Sequence, residues 1–308
     1  MAQQHDQWIR DISLIVGKGG GDGIELSGLK IAFDILKTDT ETPNKAQVKI
    51  WNLSDDTAQK IKDEFDTVIL NAGYKAKMGL IYKGNIIQVR RLREHVVDKI
   101  LEITMGDGDE GYIYAMTNKT LSAGATQKDI LDAAIEPMKE HGIELGYCPD
   151  LGGEKLPRGK TIFRSSRDVI ADICKTTNTT WSIQDGRIDI VPKDEAIPGN
   201  AYLISPSTGM IDSPKQTNKG IQIRCLLNSE IHVGGTVKIE GDIEEAGQEK
   251  KKHGKEKSSE PPAKLASDGV YRVIQCRYKG DTWGNEWYCE IVGVAMDDTS
   301  GKATDVKK

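Results

Sequence analysis

Tyr202-Leu-Ile-Ser-Pro-Ser-Thr-Gly-Met-Ile-Asp-Ser-Pro-Lys-Gln-Thr-Asn-Lys-Gly-Ile-Gln-Ile-Arg-Cys-Leu-Leu-Asn-Ser-Glu-Ile-His-Val-Gly-Gly-Thr-Val-Lys-Ile-Glu240 is the stretch whose reading decides the fold. It reads as strand, long turn, strand, tight turn, strand. Ser205 to Gly209 punctuate the first run, and Ser213-Pro214 with Asn218-Lys219-Gly220 bracket a second loop. Ile221, Ile223 and Cys225 alternate with Gln222, Arg224 and Leu226, the period of a half-buried strand. Gly234-Gly235 is expected to turn the chain into Thr236–Glu240, where Val237 and Ile239 share a face. No nucleophile stands beside a base. The stretch is built to pair with other strands.

Upstream, residues 117–195 read as a small α+β module. Thr126 with Asp129 forms a capping pattern ahead of a helix whose apolar stripe is Ile130, Leu131, Ala134, Ile135 and Met138. Ser165 to Asp168 opens a second helix, with Val169, Ile170, Ile173 and Cys174 facing inward. Asp185-Gly186 predicts a type I′ hairpin between 179–183 and 187–191.

Residues 1–116 read as β-rich, with about seven strands and one helix. Ile12, Leu14 and Val16 alternate, as do Ile31, Phe33 and Ile35, then Ala46, Val48 and Ile50. Ser54 caps the helix that carries Ala58, Ile61 and Phe65. Lys83-Gly84 or Gly84-Asn85 is expected to turn between two strands, Gly106–Gly111 to be a wet acidic turn, and Tyr112–Met116 to be the last strand. Downstream, 196–300 forms a second β-rich domain around an insertion, 241–268, expected to be disordered. The tail 301–308 is expected to be loose.

Composition sets the class. The 308 residues are 29% charged and 37% hydrophobic with a net charge of -5, which gives no general attraction to nucleic acid. No apolar run is long enough for a membrane-spanning helix. The polar start lacks the apolar core of a secretory signal. The five cysteines lack CxxC spacing and read as reduced, mostly packed thiols.

Motifs for chemistry fail one by one. Gly17–Gly23 lacks the Ser or Thr and the helix that a Walker loop needs. Asp107, Asp109 and Glu110 lack the later oxygen donors of a calcium loop. His141 and Cys148 have no second ligand pair for zinc. No cofactor, metal or catalytic residue is assigned. Residues 249–257 hold five lysines and two glutamates, which suits a solubilising segment or contact with phosphate.

Ser205 through Asn228 resembles the corresponding strand–loop–strand of baseplate hub proteins of contractile-tailed bacteriophages. Ile31-Ala-Phe-Asp-Ile35 with Ala46 through Ser54, Ser165 through Cys174 and Trp181 through Pro192 are similar too, in the same order along nearly the whole chain. The resemblance implies a mainly β fold with an α+β insertion: two tail-tube-like β-barrel domains around the small module. It implies a homotrimeric, pseudo-sixfold ring in the virion tail baseplate, assembled in the host cytoplasm. The ring would meet the tail-tube protein on one side and the central spike protein on the other, among further baseplate components. No enzymatic role, membrane span or specific nucleic-acid binding is implied, and no room is expected for a fused lysozyme domain. Expected partner contacts are the loop with Pro206, Gly209, Pro214, Asn218 and Gly220, and the helix around Ile61. The Lys250–Lys257 loop is expected outside the channel. Two rival readings stay open. A tail-associated glycan hydrolase needs two carboxylates facing one cleft. A carbohydrate- or nucleic-acid-binding β-barrel needs Trp283, Trp287 and Tyr288 exposed as a platform.

Overall fold

The computed structural model describes residues 9–19, 23–95, 97–244, 263, 265–266 and 269–296. The Lys250–Lys257 loop, most of the 241–268 insertion, the 301–308 tail and the middle of the glycine cluster lie outside the described residues.

The first part of the chain forms β1 (Arg10–Gly17), β2 (Gly23–Leu26), β3 (Ile31–Thr38), β4 (Lys45–Trp51), α1 (Asp55–Glu64), β5 (Thr67–Tyr74), β6 (Lys77–Arg93) and β7 (Lys99–Gly106). The middle forms α2 (Asp109–Tyr114), β8 (Met116–Leu121), α3 (Gln127–Lys139), β9 (Glu144–Leu145), β10 (Lys160–Ser165), α4 (Ser166–Thr176), β11 (Thr179–Gln184) and β12 (Arg187–Pro192). The last part forms β13 (Tyr202–Ile204), β14 (Lys215–Thr217), β15 (Gly220–Leu226), β16 (Thr236–Ile239), β17 (Val270–Asp281) and β18 (Trp287–Ala295).

Alternating apolar residues build the main sheet as predicted. Leu14, Val16, Ile31, Ile35, Val48 and Ile50 are all fully buried. Each such side chain contributes roughly 1.5–3 kcal/mol through burial. The strands run β14-β15-β18-β17-β3-β4-β7-β6-β5-β1-β2, with β13 and β16 attached through β17. This corrects the expectation of two separate barrels: among the described residues the path is open, and no barrel closes. The first and last parts join where β17 pairs β3, from Gln275↔Thr38 to Asp281↔Ala32. One apolar core runs through both. A second core, around Ile130, Ile170, Trp181 and Ile190, belongs to the middle segment.

Two long strands change neighbours at bulges. The first half of β6 pairs β5 and the second half pairs β7, with register shifts beside Ile81 and Ile87. Bulges bend a strand without ending it. The turn expected at Lys83-Gly84 is therefore absent. Gly84 serves a close approach instead: a Cβ there would lie 2.6 Å from the Gly106 carbonyl oxygen. Likewise β17 pairs β16 at its start and β3 at its end, across a shift between Val273 and Gln275.

Further differences have local causes. Tyr112 and Tyr114 belong to a helix rather than a strand, because Gly108 turns left-handed (φ 68°) and Asp109 and Glu110 occupy the first helical turn. Gly234-Gly235 does not close a hairpin: β15 pairs β14 and β18, whereas β16 pairs β13 and β17. The Thr126–Asp129 capping box and the Ser54 cap form as read. Asp185 and Gly186 both take positive φ, 55° and 78°, in the turn between β11 and β12.

Candidate assembly interface

The middle segment is tied to the sheet by the turn that the sequence marked most clearly. The Asp107 carboxylate accepts hydrogen bonds from the backbone N–H of Asp185 (2.6 Å) and Gly186 (2.9 Å). The Lys37 ammonium donates to both oxygens of Asp185, at 2.7 and 2.6 Å. The Asn44 side-chain amide donates to the Ile183 carbonyl (2.8 Å) and the Gln184 side-chain oxygen (3.1 Å), and Gln184 donates to the Thr38 carbonyl (2.9 Å). Lys37, Thr38, Asn44, Asp107 and Gln184 are all buried. Buried polar groups placed this way set orientation, because each bond is directional and an unmade one is costly.

Arg272 makes a second tie. One guanidinium nitrogen donates to the carbonyls of Pro192, Lys193 and Glu195, each at 3.0 Å. The other reaches Asp39 at 3.1 Å. Burial pulls the Arg272 pKa down while Asp39 opposes the shift. The pKa of Asp107 is pushed up to about 6, first by burial and then by the Asp185 carboxylate; Lys37 and the two backbone N–H groups oppose this.

The expected wet acidic turn is thus a buried anchor. Asp107 is 0% exposed, and each of its oxygens accepts from a backbone N–H of the Asp185-Gly186 turn. That arrangement holds a turn, and its burial keeps the Asp107 oxygens out of reach of a substrate. Beside it a cleft of ≈ 620 Å³ runs between the sheet and the middle segment, bordered by Lys18, Asp66, Lys83, Lys139 and His141. Its charges are of both signs. Among the described residues no group of three or more His, Cys, Asp or Glu is arranged to hold a metal ion. No helix among them is long and apolar enough to cross a membrane.

The residues expected to contact partners are scattered in environment. Ile61 is fully buried in the chain's own core, so its side chain has no free area for a partner. Pro206 and Asn218 are exposed, Gly209 is half-buried, and Pro214 and Gly220 are buried. Gly209 and Met210 lie along the edge of β15, where Leu226 N–H bonds the Gly209 carbonyl at 2.8 Å. A Cβ on Gly220 would meet the Gly293 carbonyl oxygen, and its φ is +140°. These two glycines therefore serve strand packing within the chain. Of the proposed aromatic platform, Trp287 is buried against Phe33, and Tyr288 lies under the Arg224 guanidinium at 4.8 Å. Trp283 alone of the three is well exposed, at 74%.

The sequence reading missed a second exposed apolar surface. The ribbon of β8 and β10 turns Met116, Asn118, Thr120, Thr161 and Phe163 outward, with Phe163 70% exposed. Tyr114 and Ile113 stand exposed at its end. The alternation of Phe163 with Ile162 and Arg164 was the available signal; nothing in it said which face lacked a cover.

Residues 156–249 match the family profile described as baseplate hub gp41. Among curated proteins no sequence matches. Solved structures share the fold at low identity. The 43 kDa tail protein of prophage MuSo2 from Shewanella oneidensis is 8% identical with a TM-score of 0.59, covering 96% of this chain and 100% of that one. A tail protein from Neisseria meningitidis is 10% identical with a TM-score of 0.57, over 96% and 99%. An E. coli component of the type VI secretion system, itself described as similar to the T4 tail proteins gp27 and gp5, is 8% identical with a TM-score of 0.55, over 93% and 76%. The resemblance to baseplate hub proteins is therefore shown: by the family match within the chain, and for the fold by phage tail proteins over nearly its whole length.

Proposed function

We propose that this chain is a structural hub component of a phage tail baseplate, a homotrimeric ring joining the tail tube to the central spike. The family match over 156–249 carries the reading, because it spans about half of the middle segment and all of the Tyr202–Glu240 stretch. The fold supports it. A continuous sheet with a module locked to it by buried charges suits a rigid connector. In the ring, residues 1–116 and 196–300 supply the two β-rich units of each protomer, and 117–195 the module between them. In this reading Pro206 and Asn218, both exposed, meet neighbouring tail components. The role is one of assembly rather than catalysis, in the virion tail after assembly in the host cytoplasm.

Light scattering on a size-exclusion column tests the ring, and co-elution with the spike and tube proteins of the same tail tests the connection. A species of three 33.9 kDa chains that binds both is expected. A chain that stays single and binds neither partner would refute the proposal.

A further inference from the structure

The geometry points to a strand-addition site. The open edge of β6 from Val89 to Arg93 takes an extended acidic segment of another protein, one of whose apolar side chains fills the pocket beside α1. This goes beyond the proposed ring and does not depend on it.

The open edge follows from register. β5 leaves β6 at Thr67↔Asn85, whereas β7 stays with it to Arg93↔Lys99. Among the described residues no other strand takes up the side that β5 leaves. The Glu94 N–H donates to the Asp98 carbonyl at 3.2 Å, which makes Leu92–Ile100 and Arg90–Glu102 the hydrogen-bonded pairs of the ladder. The backbone groups of Val89, Arg91 and Arg93 therefore turn away from β7, toward the open side. Such a row of N–H and C=O groups is a template for a further strand. Gln88 to Arg93 are exposed apart from the half-buried Val89.

A pocket of ≈ 400 Å³ lies between this edge and α1. Leu53, Ala58, Ile100 and Leu101 give it apolar walls, and Arg91, Arg93 and Lys99 stand on it against Asp55 alone. A strand on the edge would point alternate side chains at that pocket.

Charge selects the occupant. Residues 88–101 carry four cations and two acids, net +2, in a chain of net charge -5. Lys99 pairs Asp55 at 2.7 Å and Arg90 pairs Glu102 at 3.1 Å. The acids of the hairpin tip, Glu94 and Asp98, accept from the Trp51 indole (2.8 Å) and the Asn52 amide (3.2 Å). Arg91 donates to neutral acceptors, the Asp55 carbonyl (3.3 Å) and the Gln59 side-chain oxygen (3.0 Å). Among the described residues neither Arg91 nor Arg93 has a carboxylate within ion-pair distance. Two guanidiniums thus await acids. A nucleic-acid backbone would meet the same charge, but it would leave the edge carbonyls without donors and the pocket without an apolar filling. A second copy fits less well. Of the end strands of the sheet, β14 is bonded by Glu244, and β2 offers four residues whose one acid, Glu25, already accepts from Ser13.

Amide hydrogen exchange read by NMR on the full chain tests this, with a short peptide alternating aspartate and valine as the probe. Exchange at Val89, Arg91 and Arg93 is expected to slow about tenfold, while Arg90 and Leu92, already bonded to β7, change little. Arg93→Glu changes an exposed side chain, and circular dichroism checks that it stays folded. It is expected to weaken binding about tenfold, by removing one pair and adding one like-charge contact. The same peptide N-methylated on its edge-facing amides is expected to lose binding. No slowing at millimolar peptide would overturn the site, and binding that survives N-methylation would overturn strand addition. Stronger protection by oligothymidylate would assign the edge to nucleic acid instead. Protection that rises with protein concentration, without peptide, would assign it to a second copy. None of these outcomes bears on whether three chains form the ring.

Discussion

At the seam between the first and last parts of the chain, β3 and β17 exchange backbone hydrogen bonds over seven positions above a shared apolar core. At the joint between sheet and middle segment, a buried ammonium, two carboxylates and two side-chain amides meet one tight turn. The seam keeps its register through that ladder, while its apolar core adds stability without direction. The joint pairs no strand of the main sheet with the middle segment, so there each buried donor must find its own acceptor. The comparison teaches where orientation is stored. The seam makes one body; the joint decides how the module, and with it the β8–β10 ribbon, is aimed.

Breaking the joint is expected to give the largest effect. Lys37→Ala leaves the largely buried Asp185 carboxylate without its cation and should cost about 3–5 kcal/mol in urea unfolding. Proteolysis should then cut first within 117–195, and a loss under about 1 kcal/mol would mean that the joint is not held by charge. At the seam, Ile35→Ala should cost about 3 kcal/mol, from transfer and cavity, while cuts appear across the whole sheet together. Module-first cutting in that variant would erase the contrast.

The joint should also respond to pH where the seam does not. Asp107 has its folded pKa raised from 3.8 to about 6, so folding favours the protonated acid. Its stabilising contribution is complete below pH 3.8 and is lost as pH rises through 6. Subtracting the stability of Asp107→Asn from that of wild type should give a difference that falls by up to roughly 3 kcal/mol from pH 4 to 7. A flat difference would place the carboxylate in a better solvated site than its burial indicates. The smallest effect belongs to Thr126→Ala, an exposed cap far from the joint, which should cost about 1 kcal/mol and leave the order of proteolysis unchanged.

Several of these parts were legible in the chain itself. The Asp185-Gly186 turn, the Thr126–Asp129 box and the inner face of α4 are local: neighbouring residues decide them, so local chemistry finds them. The β6 strand was misread because a bulge flips the alternation much as a turn does, and Gly84 served packing rather than bending. Ile61 was read correctly as the helix's apolar face, but its cover is the chain's own core.

What the sequence determined alone, then, was the inventory: a β-rich chain, a helical module near its middle, the turn between β11 and β12, and the resemblance to tail hubs. Short-range terms such as caps, turn angles and period-two burial act within a few residues, and they are written in order. The tertiary structure decided what those pieces meet. Asp185 finds Lys37 across 148 residues and Asp107 across 78, and β17 reaches back to β3 to make one sheet. Whether an acid is wet or buried, and whether an aromatic is core or surface, depends on which distant segment covers it. That cover exists only once the chain has closed on itself.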